Sequence, residues 1–265
     1  MEPQILIADK PVGITSHDLV AATRRGLDRG VKVGHAGTLD PFASGLLIIL
    51  IGAATRTQKF FMGLQKTYEV EARFGAVSST GDPEGQITET GVVPQGDLDL
   101  PTGQITQRPP AYSAVKIDGE RAYKRARRGE EVITDERVVT VDEFAELDRT
   151  DDVRRFRIRC SSGTYVRSLV SDLGDAYCTQ LRRTAIGPFS VAEAEEGKPT
   201  DLLQALARFM PTSEVTTEQA EDLRQGRSIV ATIDQETILT ANSRIVALAR
   251  GAAEGRAEPF IVFPL

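Results

Sequence analysis

The sequence predicts an α+β protein built on a mixed, largely antiparallel central sheet flanked by helices, with a small β-rich module at its C-terminal end. Three observations carry this expectation. Residues 67–74 alternate strictly, with Tyr68, Val70, Ala72 and Phe74 on one face and Thr67, Glu69, Glu71 and Arg73 on the other, the two-residue period of a half-buried strand. Phe156, Ile158 and Cys160 alternate in the same way with Arg155, Arg157 and Arg159, which gives a second strand a basic outer side. Between Ser16 and Leu27 the apolar positions Leu19, Val20, Thr23 and Leu27 instead follow a helical period. Strand and helix signals interleave without a steady βαβ rhythm, which argues against a parallel doubly wound sheet.

The remaining elements follow in order. An apolar strand over 4–8 leads through the turn Lys10-Pro11-Val12-Gly13 to the helix from Ser16, which is its expected N-cap. A loop containing Gly34, Gly37 and Pro41 enters the apolar run Leu46 to Ile51, a buried strand, and a helix is expected over about 55–64. Residues 77–110, rich in Gly, Pro, Asp and Thr, read as loops around short elements. A helix is then expected over 120–128, a strand over 138–147, and a helix from Tyr165 to Tyr177 with Val166, Leu169, Val170 and Leu173 inward. Past Pro211, an amphipathic helix over 216–225 precedes short strands at 229–233, 245–249 and 260–263. The expected division is a domain over 1–210 and a separate module over 211–265, with no repeat of solenoid period.

Composition narrows the chemistry. At 265 residues and 40% hydrophobic content, the chain can build one large core and a small appendix. It holds no run of eighteen apolar residues and opens without a basic, apolar leader, so no membrane span is expected and the cytoplasm is the default. Cys160 and Cys178 are too few for a disulfide framework and read as buried thiols. With His17 and His35 the only histidines, zinc chemistry and a Ser-His-Asp relay are poorly supported. Catalysis must lean on carboxylates, Tyr, Arg or Lys.

A net charge of −6 and a pI near 5.2 argue, taken alone, against a nucleic-acid partner. The charges are segregated, however. Basic residues gather at Arg121, Lys124, Arg125, Arg127 and Arg128, again at Arg154 to Arg159, and at Arg182 and Arg183, while acidic ones gather at 193–196 and 214–222. Such segregation permits a basic face on an acidic protein, although a solvated surface is the ordinary account of any one cluster.

Asp40 sits in a Gly-rich loop before Pro41, at the entrance to a buried strand, where functional groups concentrate. An Asp before Pro also commonly does no more than set a turn. Four separated segments decide how to read it: Asp9-Lys10-Pro11 with Gly13 and Ser16; Gly34-His35-Ala36-Gly37-Thr38-Leu39-Asp40-Pro41 with Ser44-Gly45; Lys66-Thr67-Tyr68; and Ser162-Gly163-Thr164-Tyr165-Val166-Arg167. A fifth, Pro109 to Lys116 with Gly119 and Tyr123, lies between the last two. In order and spacing these resemble the uridine-55 type of tRNA pseudouridine synthase, over residues 5 to about 190.

The resemblance implies the pseudouridine synthase fold and a covalent reaction at Asp40, which acts as nucleophile while uracil is detached from C1′, turned and rejoined through C5. It implies that Tyr68 stacks on the target base and takes part in moving a proton, and that Arg167 pairs with Asp40; read without it, Tyr68 is an ordinary core tyrosine. His35 would hold flipped nucleotides beside the loop and so favour tRNA over ribosomal RNA. Lys10, Pro11 and Gly37 would support the catalytic loop. The insertion 108–131, with Arg125 and Arg128, would grip RNA, and Tyr165, Leu181, Arg182 and Arg183 would line its path.

The implied partner is the T arm of tRNA, met by a monomer with no metal, cofactor or nucleotide cofactor. The tail departs from the family's pattern: it is short, lacks a basic stripe, and is expected to be a reduced PUA-like RNA-binding module. Position 81 is Gly where many relatives carry a polar residue. Alternatives are a pseudouridine synthase for another RNA, an RNA-binding folding helper, and, more remotely, a glycosidase, for which no second acid accompanies Asp40.

Overall fold

The computed structural model describes residues 2–110, 112, 113, 115–117, 119–130 and 132–263. Ala111 and Ala114 of the family-like segment lie outside these residues, as do the side chains of Lys116, Arg121, Tyr123, Lys124 and Arg127.

Strand β1 (Gln4–Lys10) buries Ile5 and Ile7 and leads to helix α1 (Ser16–Arg25). The N-cap is Thr15, one residue earlier than expected. Its hydroxyl accepts from Asp18 N at 3.1 Å while the Asp18 carboxylate accepts from Thr15 N at 2.8 Å, a reciprocal capping box. Ser16 is thereby turned inward. Strand β2 (Val33–His35) pairs with β3 (Ser44–Ile51), which is buried from Gly45 onward. The expected helix near 55–64 is split into a 3-10 segment over 52–57 and α2 (Gln58–Gly63).

Strand β4 (Lys66–Phe74) shows the predicted alternation, with Tyr68, Val70 and Phe74 buried. Strands β5 (Ala76–Ser78) and β6 (Ile87–Glu89) pair with each other, and β7 (Gly103–Gln107) joins the main sheet as an edge. In the insertion, β8 (Lys116–Ile117) and β9 (Glu120–Arg121) precede α3 (Ala122–Arg127). Strands β10 (Arg137–Arg149) and β11 (Val153–Cys160) follow as a long antiparallel pair.

The expected helix from Tyr165 to Tyr177 is the largest correction. Helix α4 covers only Val166–Ser171, Gly174 takes φ 135, and the chain continues as the eleven-residue strand β12 (Ala176–Ile186). Where β12 pairs with β4, two bulges interrupt its register, between Cys178 and Gln180 and between Arg183 and Ala185. Each extra residue shifts the side chains to the other face, so the strand lacks the alternation that made its neighbours legible.

After β13 (Phe189–Ser190), strand β14 (Thr200–Asp201) and helix α5 (Leu202–Leu206) close the main sheet. Its strand order is β14-β1-β3-β12-β4-β11-β10-β7, with β2 and β13 attached to β3 and β12. Among the described strands, β3 and β12 form its single parallel pair. The sheet is thus mixed and largely antiparallel, and β12 lies at its centre between the strand that follows Asp40 and the strand that carries Tyr68.

The C-terminal part forms a five-stranded sheet from β15 (Thr212–Glu214), β16 (Ile229–Val230), β17 (Thr237–Ala241), β18 (Arg244–Ala252) and β19 (Arg256–Val262), with helix α6 (Thr217–Arg224). Strands β15 and β17 were not expected. This sheet is not packed separately. Ile238, Leu248, Ile261 and Phe263 join Ile5, Ile48, Leu202 and Leu206 in one hydrophobic cluster, so the two sheets share a core. No helix among the described residues is long and apolar enough to cross a membrane.

Candidate active site

The loop between β2 and β3 is fixed residue by residue. Ala36 N donates to Ile48 O at 2.9 Å, and the inward Ser16 hydroxyl accepts from Leu39 N at 2.9 Å and donates to Leu39 O at 3.2 Å. On the other side of Asp40, the Pro41 carbonyl accepts from Gly13 N at 2.8 Å and from Lys10 Nζ at 3.4 Å. Lys10 is fully buried, and its ammonium also donates to Pro11 O at 2.9 Å and Ile14 O at 2.8 Å. Leu39 and Phe42 anchor the loop in the core beneath β4 and β11. The backbone at Asp40 is therefore clamped on both sides while its side chain, 38% exposed, enters an open cleft.

Arg167, on α4, reaches that carboxylate from the other wall. Its Nε stands 3.0 Å from Asp40 Oδ2 and its Nη1 stands 3.0 Å from Asp82 Oδ2. The guanidinium also donates to Thr80 O at 2.6 Å and Tyr112 O at 2.8 Å. Asp82 is buried, and its Oδ1 accepts from the Thr80 hydroxyl at 2.6 Å and Glu84 N at 3.0 Å. Gly81 takes φ 72 with its Cα facing the stem of Arg167, which accounts for glycine at this position.

The cleft encloses about 250 Å3 between Asp40, Tyr68, Tyr165, Leu181 and Arg183, with Lys66 at its edge. Burial pushes the Asp40 carboxyl above the ordinary aspartate value; Arg167 is the strongest influence against this, Asp82 adds to it, and Lys10 opposes it. The cation at contact distance thus favours the ionised carboxylate against surroundings that favour the protonated one. Burial likewise raises the Tyr68 phenol, against the influence of Arg183. It pushes the Lys66 ammonium, which donates to the Met62 and Leu64 carbonyls, down to about 8. Among the described residues lining the cleft, Asp40 is the single carboxylate. That disfavours paired-acid hydrolysis and puts one carboxylate in the same cleft as the Tyr68 and Tyr165 rings.

The sequence-derived residues divide into three groups. Asp40, Tyr68, Arg167, Tyr165 and Leu181 meet at the cleft. Tyr165 N accepts no freedom there: it donates to Gln107 Oε1 at 2.7 Å, while Gln107 Nε2 donates back to Tyr165 O at 2.9 Å. Lys10 and Pro11 stand behind the loop, and Gly37 takes φ 106 on the cleft wall. His35 lies on β2 outside the cleft lining, edge-on to His17 with ring centroids 5.6 Å apart.

Arg183 also lines the cleft, from within the sheet. It is 2% exposed and donates from Nε to Leu46 O at 2.8 Å and from Nη2 to Gly37 O at 3.1 Å. It stands opposite Tyr68 on β4, on the same face as Leu181, and from there it braces the loop that carries Asp40 while lining the cleft. Arg182 points outward and pairs with Asp9 at 2.6 Å. Arg128 is bound to Glu120 and Glu130 and Arg125 to Glu130, so that end of the insertion is an ion-pair network. Asp82 and Ser16 were missed as site residues. Asp82-Pro83 repeats the Asp-Pro signal of Asp40-Pro41, which is the clue that could have singled it out.

Over residues 24–166 the chain matches the TruB family pseudouridylate synthase (N terminal domain). It belongs to this family. As a pseudouridylate synthase it has similar relatives along nearly its whole length. It is 40% identical over 252 residues to the tRNA pseudouridine synthase B of Corynebacterium glutamicum (strain R), covering 85% of this chain and 84% of that one. It is 38% identical over 294 residues to the tRNA pseudouridine synthase B of Thermobifida fusca (strain YX), covering 99% of each. Its fold resembles that in the crystal structure of a Cbf5-Nop10-Gar1 complex, with TM-score 0.70 and 23% identity over 98% of this chain and 84% of that one.

Proposed function

We propose that this pseudouridylate synthase converts uridine to pseudouridine at position 55 in the T loop of tRNA, with Asp40 as the covalent nucleophile. The observation that carries this reading is the Arg167-held Asp40 carboxylate sharing with Tyr68 a cleft that has no second acid among its described lining residues. Its relatives of similar length bear the name tRNA pseudouridine synthase B.

The target uridine leaves the stacked loop, at a cost of a few kcal/mol, and lies against the Tyr68 ring. Asp40 forms a covalent bond to the nucleotide as the C1′–N1 bond breaks. The uracil turns, C1′ bonds to C5 and the bond to Asp40 breaks, and the C5 proton is passed on while N1 gains one, so the product is an isomer, Asp40 is regenerated and no co-reactant is consumed. Tyr68 supplies the stacking face, and in this reading its hydroxyl takes part in the proton transfer. His35, braced against His17, serves to hold neighbouring nucleotides and directs the enzyme to tRNA.

In this reading the segment 108–131 and the module at 211–265 contact RNA on either side of the cleft, and the enzyme works as a cytoplasmic monomer. Arg125, Arg128 and Arg182 would meet phosphates by exchanging their present carboxylate partners for them. Tritium release from C5-labelled uridine in an unmodified T-arm hairpin is the direct test, with cytidine at the target as control. No release from the uridine hairpin would refute the proposal. A folding-helper role is separated by Asp40→Asn, which should abolish release and leave hairpin binding intact.

A further inference from the structure

Strands β7 and β10 pair in a register that sets Arg137 opposite Gln107. Gln107 is 2% exposed, and its carboxamide holds both backbone groups of Tyr165 on the cleft wall. The same strand pair thus places the Tyr165 ring and the Arg137 guanidinium over it, with Cζ 5.5 Å from the ring centroid. A Cβ built on Gly163, which also lines the cleft, would lie 3.6 Å from Arg137 Nη1. Arg137 is half-buried, and none of its nitrogens is shut off from solvent. Its head is therefore anchored at the lip of the cleft and open to a ligand.

Among the described residues, this guanidinium has no carboxylate partner and no hydrogen-bond acceptor. Its neighbours are engaged. Arg108 pairs with Glu136 at 2.9 Å, Arg182 with Asp9 at 2.6 Å and Arg128 with Glu120 at 2.7 Å, so each must give up a carboxylate to take a phosphate. Arg167 and Arg183 are buried, with donors directed at Asp40, Asp82 and backbone carbonyls. A cation resting on a ring face is stabilised without spending its N–H groups. All five donors of Arg137 are left for an incoming acceptor.

Resting on the tRNA reading above, we propose that Arg137 binds a backbone phosphate flanking the flipped uridine and so positions the nucleotide as its base enters the cleft. A base that enters the cleft leaves its two flanking phosphates at the mouth, where the Asp40 carboxylate repels them. A cation at the lip offsets that repulsion. The guanidinium fork matches phosphate oxygens, and stacking on Tyr165 holds the fork in one plane before the RNA arrives. No ion pair has to be broken first.

Filter binding of the T-arm hairpin to the full chain at a series of salt concentrations tests this. Arg137→Gln should weaken binding about tenfold, the scale of a hydrogen bond to a charged group. It should also make the fall of log affinity with log salt shallower by about one, as expected for one lost phosphate contact. Hairpins in which the 5′ or the 3′ phosphate of the target uridine is replaced by a neutral methylphosphonate locate the contact. One of them should bind wild type more weakly than the unmodified hairpin does, and bind Arg137→Gln no more weakly. A residue that only braces Tyr165 would leave the salt slope alone and make the two losses additive. Should Arg137→Gln fail to fold, the neutralised hairpins decide on wild type. An unchanged slope in Arg137→Gln, additive losses, or full wild-type affinity for both neutralised hairpins would each overturn the proposal. A wild type that binds no T-arm hairpin would overturn the tRNA reading, and this inference with it.

Discussion

Arg167 holds Asp40 and Asp82 on two arms of one guanidinium, each carboxylate oxygen 3.0 Å from its nitrogen. The half-buried acid is thereby tied to a buried one through a cation that also donates to the Thr80 and Tyr112 carbonyls. Arg167→Lys would keep the charge and lose the fork. We expect kcat to fall by about a hundredfold or more, the scale on which removing one preorganised electrostatic group acts, with T-arm hairpin affinity little changed. Single-turnover kinetics beside filter binding would check this, and near-normal turnover would remove Arg167 from the catalytic set.

The same arrangement has a pH signature. In the proposed reaction Asp40 attacks as the anion, so the rate should fall as pH drops through its pKa. Burial places that acid limb above the ordinary aspartate value of 3.8, and Asp82 contributes in the same direction. Asp82→Asn removes a like charge, so the limb of the single-turnover pH profile should move to lower pH, while the rate on the plateau drops because Arg167 loses its rear support. A limb that stays in place or moves upward would contradict this account of Asp40.

Tyr68 separates into ring and hydroxyl. Tyr68→Phe should bind the hairpin normally, and any loss in its chemical step measures the hydroxyl. Tyr68→Ala should also weaken binding, by ~1–3 kcal/mol, the usual worth of one base stacked on an aromatic side chain. Equal rates for Tyr68→Phe and wild type would confine the residue to stacking.

Gly45 offers a test of the sheet's centre. It has φ 104, and a Cβ placed there would lie 2.3 Å from the Arg183 carbonyl oxygen on β12. Gly45→Ala should destabilise the protein by ~1–3 kcal/mol, the ordinary cost of overpacking, and lower its Tm. Chemical denaturation would give the value. An unchanged midpoint would mean that β3 and β12 can move apart.

Much of this was legible in the sequence, and the exceptions have physical causes. Strands β4 and β11 could be read because one face of each is buried and the other wet. Strand β12 could not, because two bulges scramble its faces and Gly174 lies where the helical pattern seemed to run on. The burial of Arg183 was hidden for a related reason: beside Arg182 it reads as surface, and only the register that sets it opposite Tyr68 puts it on the inner face. Asp40, Tyr68 and Arg167 were named as a set because their segments match a family. Asp82 was passed over because its burial arises only when the loop at 80–84 folds onto α4, a contact between segments far apart in the chain.

The hydrophobic cluster shared by the two sheets bears on how the molecule comes apart. With Ile48 and Leu202 packed in the same cluster as Ile238, Leu248 and Phe263, cutting the chain after Pro211 would expose the larger sheet's own interior. The two halves should therefore melt as one cooperative unit, with a single endotherm and no stable remnant. The distance from the smaller sheet to Asp40 is then set by the packing of that one cluster.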